Sequence, residues 1–233
     1  MDQPLSDALF TQLRAIDTPT VCNALEVVAP DRRGHGYTTT PFVVGDDELE
    51  PMVGFARTGT VRAQTPPTLD ADAVTRVRLA YYDHVGQGPG PTIAVIADLD
   101  DHAGYGAFWG EVNTNIHQGL GSLGVITNGS IRDLDDVASG FQMLAGMVNP
   151  SHAWIRIEEY GVPVTVHGMR VEPGDLIHAD HHGAVVIPTA AAPQIPEAAA
   201  AIAKREKVLI AASQQPGFSS ATIHELLRAD PGH

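Results

Sequence analysis

Gly124-Val125-Ile126-Thr127-Asn128-Gly129-Ser130-Ile131-Arg132-Asp133-Leu134-Asp135-Asp136 joins a short apolar run, an Asn-Gly turn and an Arg-Asp pair. The run reads as a strand, the turn as its stop, and Arg132-Asp133 as the entry to a helix. A strand that ends where a helix begins is a common ligand position in open α/β folds, because loop amides and helix N-terminal amides face one crevice. Arg132 offers a planar fork of donors matched to a carboxylate, and Asp133 is a hard oxygen donor suited to Mg²⁺ or Mn²⁺. The same residues also read as an exposed ion pair, with Asp133, Asp135 and Asp136 capping a helix.

Upstream, Phe108 to Leu120 reads as a helix entered through Trp109-Gly110-Glu111, and Gly119-Leu120-Gly121-Ser122-Leu123-Gly124 leads into the strand. Those glycines spell the dinucleotide fingerprint, but a helix precedes them and a strand follows, the reverse of what that fingerprint requires. They are read as helix C-cap and turn positions. Further back, Thr92 to Ala97 is a buried strand ending in Asp98, Asp100 and Asp101, read as a solvated turn. Asp70 to Val85 is a helix with Val74, Val77, Ala80 and Tyr81 on one face, and Val53 to Ala63 is a strand. Asp31 to Pro51 reads as a loop excursion. Thr18-Pro19 supplies an N-cap and a first-position proline for a helix through Val21, Leu25 and Val28, and Leu5 to Ile16 forms an amphipathic helix expected to pack as a lid.

Downstream, glycine, proline and aspartate punctuate strand-like segments at Phe141 to Leu144, Ala153 to Ile157, Val162 to His167, Leu176 to Ala179 and Ala184 to Ile187. Ala190 to Ala212 is an alanine-rich helix and Ser219 to Arg228 a short closing one. The whole reads as a single α/β domain, 1–233, with a β-rich second half wrapped by terminal helices. His178-Ala179-Asp180-His181-His182 suggests a metal cluster, but His181 and His182 fall in a hairpin connection and should point apart. A structural role is preferred there to a zinc site.

The chain carries a formal net charge of -14 from 28 acidic and 14 basic residues. Such a field repels phosphate backbones and anionic lipids, so neither nucleic acid nor a membrane is an expected partner. Cys22 is the single cysteine, which excludes an internal disulfide and a cysteine-only zinc cluster; its place on an apolar helix face suggests core packing. No segment approaches the roughly 20 apolar residues of a membrane span, and the first residues lack a leader pattern, so a cytoplasmic protein is expected. No Gly-x-Ser-x-Gly elbow and no phosphate-cradling Gly-x-x-x-x-Gly-Lys loop occurs.

Three stretches, Trp109-Gly110-Glu111, Gly124 to Asp133, and Val171-Glu172-Pro173-Gly174-Asp175-Leu176-Ile177-His178-Ala179-Asp180 with Gly183 to Pro188, resemble the family of the regulator of ribonuclease activity A (RraA) and the metal-dependent 4-hydroxy-4-methyl-2-oxoglutarate aldolases. With Thr18 to Leu25 and Val53 to Thr60 the likeness spans most of the chain. It implies an RraA-like swivelling β/β/α domain with terminal helices, assembling as a homotrimer or hexamer with sites near subunit interfaces. It also implies that Arg132 binds a pyruvate carboxylate, that Asp133 holds the divalent metal, and that amides at Gly110, Glu111, Val112 and Asn113 complete the carboxylate pocket. Glu111 reaches toward a metal-bound water in this picture, Asp136 is the acid after the Arg-Asp pair, and Glu206 is a candidate acid for a neighbouring subunit. Asn113, Thr114 and Asn115 depart from the family's small apolar residues.

The function so implied is a Mg²⁺- or Mn²⁺-dependent aldolase that cleaves a 4-hydroxy-2-oxo acid to pyruvate, with oxaloacetate decarboxylation as a companion activity. No lysine lies in the central stretch to form a Schiff base. The alternative is a non-catalytic regulator that binds a ribonuclease, which the acidic charge suits.

Overall fold

The structure, a computed structural model, describes residues 5–229. In chain order its helices are α1 (Asp7–Arg14), α2 (Thr18–Val28), α3 (Ala71–Val85), α4 (Glu111–Gly119), α5 (Ile195–Ser213) and α6 (Ser220–Ala229). Its strands are β1 (Val43–Val44), β2 (Met52–Arg62), β3 (Thr92–Asp98), β4 (Ala107–Trp109), β5 (Ser122–Thr127), β6 (Ser130–Ile131) and β7 (Gln142–Ala145), then β8 (Met147–Val148), β9 (Arg156–Tyr160), β10 (Val164–Val166), β11 (Met169–Val171), β12 (Leu176–Asp180) and β13 (Gly183–Ile187).

The main sheet runs β1-β7-β5-β3-β2-β12-β13, and β9 also pairs with β2. Its centre, β2, β3, β5 and β7, is parallel; β12, β13, β9 and β1 add antiparallel edges. Continuous burial along β3 and β12 follows from covered faces on both sides, as parallel and mixed sheets require. One face carries α1, α2 and α5, which bury Leu9, Phe10, Leu13, Val21, Leu25, Ile195 and Ile202 against Val53, Leu176 and Ile187. The β10–β11 hairpin buries Val164, Val166, Met169 and Val171 against Ile93, Ile126 and Ile177. A third cluster gathers Tyr81 and Val85 of α3 with Phe108, Trp109, Val125, Ile131 and Phe141. Beside the sheet, β4, β6 and β8 form a short all-parallel ladder. That ladder and the third cluster position the candidate site.

α1 is not a lid, because its apolar face is built into the first cluster. The N-cap of α2 is Asp17, whose side chain accepts from Thr20 N–H at 2.8 Å, rather than Thr18. Thr18 is instead buried: its N–H donates to Asp180 Oδ2 at 2.8 Å, and its hydroxyl lies 3.0 Å from His178 Nδ1. His178 Nε2 faces the Leu13 and Ile16 carbonyls at 3.1 and 3.0 Å, so Nε2 carries the proton and Nδ1 accepts from Thr18. His178 and Asp180 thus tie β12 to the start of α2. His181 and His182 sit in the β12–β13 turn, yet their rings lie 4.0 Å apart rather than pointing away from each other.

The helix expected from Phe108 starts only at Glu111, because Ala107–Trp109 pairs as a strand with β6. The helix expected at Arg132-Asp133 does not form. Asp133 has φ 53, the left-handed region, and residues 134–136 make a turn. The Asp31 to Pro51 excursion is mostly loop but contributes β1 to the sheet edge. Asp98 and Asp100 are not a solvated turn: Asp98 accepts from Gly104 and Asp100 N–H, and Asp100 from Ala63 and Gln64 N–H. Cys22 is half-buried beside the first cluster, and burial lifts its thiol pKa to about 11. Among the described residues no helix is long and apolar enough to cross a membrane. Met1 to Pro4, on which the leader reading partly rests, lie outside the described residues.

Candidate active site

The site is assembled where β4 ends. Gly110 is the N-cap of α4, with φ -167, and offers no side chain to the helix's first turn. Glu111 N–H points to Asp133 Oδ2 at 3.4 Å, while the Val112 and Asn113 N–H groups have no acceptor among the described residues. Uncapped amides at a helix N-terminus form a ready anion site. Arg132 is brought beside them by its N–H bond to the Trp109 carbonyl, 2.9 Å, which extends the β4–β6 pairing by one residue.

Asp133 follows in a left-handed turn closed by Asp136 N–H on the Asp133 carbonyl at 3.0 Å. An aspartate tolerates this conformation at a cost of about 1 kcal/mol or more. The turn aims the carboxylate at Gly110: a Cβ added there would meet Asp133 Oδ2 at 2.5 Å. Arg132 Nε lies 3.3 Å from the same oxygen. The ion pair anticipated from sequence therefore exists, but it stands at the end of a cleft. It occupies only one edge of the guanidinium, and Asp133 Oδ1 has no hydrogen-bond partner among the described residues.

The cleft encloses about 650 Å³. Of the residues expected from sequence, Gly110, Val112, Asn113, Arg132 and Asp133 line it. Glu111 and Asp136 are exposed and are not among its lining residues, and Asp136 enters through its backbone. Val74, Arg78 and Tyr82 of α3 form one wall with Ile116 of α4, and His152, Trp154 and Arg156 another; none was singled out from sequence as part of a site. The four-residue spacing of Val74, Arg78 and Tyr82 was the available signal.

Asn113 anchors α4. Its side-chain NH₂ donates to the Phe108 carbonyl, and its Oδ1 accepts from the Tyr82 hydroxyl at 2.8 Å. Thr114 Oγ1 donates within α4 and accepts Ala138 N–H at 3.0 Å. The polar residues at 113 and 114 are thus bonded in place. Beneath them His117 Nδ1 donates to the Asn113 carbonyl at 2.7 Å, and its Nε2 accepts from Tyr81 at 2.8 Å. Burial holds His117 down to about 4 from its ordinary 6.5. The unfolded chain therefore takes up this proton first as pH falls. Stability is full above about 6.5 and is lost toward about 4, by up to about 3 kcal/mol from this group. His117→Gln keeps a polar side chain but deletes the titration, so denaturant midpoints between pH 4 and 6.5 should fall less steeply than in the parent. An unchanged slope would place the acid sensitivity elsewhere.

A divalent metal fits one end of this cleft. Among the described residues no three His, Cys, Asp or Glu side chains converge to cage an ion. Mg²⁺, however, is commonly held by one or two carboxylates with water and substrate oxygens completing its shell. Asp133, about one-third exposed with Oδ1 uncommitted, is such a carboxylate.

Fold and site together define a mixed α/β domain with an arginine–aspartate cleft at a helix N-terminus. The family model described as RraA-like, Aldolase/RraA, matches residues 18–186, and the chain belongs to that family. The family includes aldolase and lyase members as well as ribonuclease inhibitors. An uncharacterised protein of Methanocaldococcus jannaschii is 34% identical over 108 residues, 42% of this chain; the chain spans about half, 52%, of that relative's length. The solved structure of Streptomyces coelicolor RraAS2, described as an unusual member of the RNase ES inhibitor RraA family, aligns with TM-score 0.67 and 24% identity over 89% of this chain and 98% of that one. A structure reported among novel cellulases from gut-associated microbes aligns with TM-score 0.70 and 17% identity over 89% of each chain. At these identities the structural likenesses establish the fold alone.

Proposed function

We propose that the protein is a divalent-metal-dependent carbon–carbon lyase that cleaves a 4-hydroxy-2-oxo acid to pyruvate and also decarboxylates oxaloacetate. One observation carries the reading: the Arg132 fork, the Asp133 carboxylate and the uncapped amides of α4 converge on the end of one cleft. Arg132, with the Val112 and Asn113 amides, binds and orients the substrate carboxylate. Asp133 is the residue to hold Mg²⁺ or Mn²⁺, which when bound supplies Lewis-acid polarisation of the 2-oxo group. Asn113 and the β4–β6 pairing keep the amides and the guanidinium in register, and orientation of this kind is a large part of a catalytic rate.

The test is pyruvate release from a panel of 4-hydroxy-2-oxo acids, with EDTA and with added Mg²⁺. Arg132→Lys keeps the charge but removes the fork, so kcat/KM should drop about tenfold or more. Full turnover in chelator, or an unaltered Arg132→Lys enzyme, would reject the assignment. The rival reading, a ribonuclease-binding regulator, is supported by the charge of -14. It gains if no oxo acid is cleaved and ribonuclease binding is tight and weakens strongly with salt.

A further inference from the structure

The cleft is far larger than a pyruvyl unit requires. Six heavy atoms occupy roughly 100 Å³, about three waters at ~30 Å³ each, against about 650 Å³ enclosed. Beyond the Arg132–Asp133 end its walls carry Val74 and Tyr82 on α3, Val112 and Ile116 on α4, and Trp154 on the segment between β8 and β9, with Arg78, His152 and Arg156 as the cationic or titratable side chains among them.

Trp154 is 55% exposed, yet its backbone is held at almost every step. Trp154 N–H donates to the Ala63 carbonyl at 3.0 Å, Ile155 N–H to His152 at 3.0 Å, and Ala107 N–H to Ser151 at 2.8 Å. Ala153 N–H reaches Ser151 Oγ at 3.1 Å, and Ala153 itself sits at φ 47, a strained conformation for alanine. The His152 carbonyl lies so close to Gly106 that no Cβ fits between them. The backbone that carries this large indole is therefore fixed beside the cleft, so little main-chain freedom is left to lose on stacking. Arg78, on α3 between Val74 and Tyr82, also lines the cleft, without a hydrogen-bond or ion-pair partner among the described residues. A guanidinium stacks favourably on an aromatic face.

We propose that this wall is an aryl subsite, and that the cleft takes 4-aryl-4-hydroxy-2-oxobutanoates with the ring between Trp154 and the α3 face. The inference rests on the lyase reading above. In the cleavage the C3–C4 bond breaks, the C4 hydroxyl proton passes to water, and C4 becomes the carbonyl carbon of an aromatic aldehyde. The bond's electron pair goes to C3, which takes a proton to give pyruvate, so nothing is oxidised or reduced overall.

Binding separates this inference from the lyase reading. In calorimetry on the full-length protein with Mg²⁺, the non-cleavable analogue 4-phenyl-2-oxobutanoate should bind at least about tenfold more tightly than pyruvate. Trp154→Ala should remove most of that advantage and Trp154→Phe keep most of it. Equal affinity for the two acids, or an advantage untouched in Trp154→Ala, overturns the subsite. In turnover, 4-hydroxy-2-oxo-4-phenylbutanoate should release benzaldehyde with a higher kcat/KM than 4-hydroxy-2-oxoglutarate. Trp154→Ala should raise its KM by at least about tenfold and that of the smaller acid by much less. A preference for the distal carboxylate that Arg78→Gln abolishes would overturn the proposal. A Trp154-dependent binding advantage with no cleavage of any oxo acid would uphold the subsite while the lyase reading fell.

Discussion

Asp133→Asn is expected to cost metal-dependent turnover at least about a hundredfold while leaving the fold intact. The substitution is nearly isosteric, and asparagine tolerates the left-handed conformation at φ 53 as well as aspartate does. Its side-chain oxygen can still accept the Glu111 N–H that Asp133 Oδ2 faces at 3.4 Å. What it loses is the negative charge that the proposed role of holding a hard cation requires. Mg²⁺ titration of the variant should show binding weakened in step with activity, at an unaltered melting temperature. Parent-level turnover with Mg²⁺ would move the metal to another residue. Loss of activity together with loss of fold would point to Asp133 as a structural part of the turn.

Gly110→Ala should be nearly as damaging by a different route. Gly110 has an extended backbone open to any residue, so the change introduces no dihedral strain. The added Cβ would instead stand 2.5 Å from Asp133 Oδ2 and 3.0 Å from Arg132 Cγ. The carboxylate must move away from the helix N-terminus, and a displacement of about 1 Å at a catalytic group costs on the order of a hundredfold in rate. Because the clash falls on two partly exposed side chains rather than on the core, thermal stability should change little. Activity within about threefold of the parent would mean that the carboxylate acts from another position.

The strands at the centre of the sheet were legible because β3 and β5 are short apolar runs bounded by turn residues and β2 is rich in β-branched residues. The helix α2 was legible from its apolar spacing and proline placement, α3 from its periodicity and α5 from its run of alanines. What escaped was short and decided by partners far away in sequence. β4, β6 and β8 have two or three residues each and exist only because they pair with one another. The Arg132–Asp133 step looked like a helix entry because acids cluster there, yet one left-handed residue turns the chain before a helix can start. Arg132, Asp133 and Gly110 were readable as a set. The far wall was not, because Trp154 lies about twenty residues beyond Asp133 and nothing local states that its indole is exposed. Asp136, singled out in the sequence for its carboxylate, stands exposed in the structure, and its backbone N–H closes the turn at Asp133.

The strand β2 also sets an order of events for the growing chain. One edge pairs with β3, which follows within a few dozen residues. The other edge is divided: Met52 to Phe55 pairs with β12, and Gly59 to Arg62 with β9. Until Arg156 to Asp180 have been synthesised, that second edge has no partner. At about 5–20 residues per second the wait is several seconds or more. During that interval an eleven-residue segment that is largely buried in the finished domain presents open backbone donors and acceptors, the template on which chains pair with their neighbours. Arg57 and Arg62, the charged residues of this strand, oppose such pairing by their charge, so the sequence guards the nascent chain along a strand that the finished domain covers on both edges.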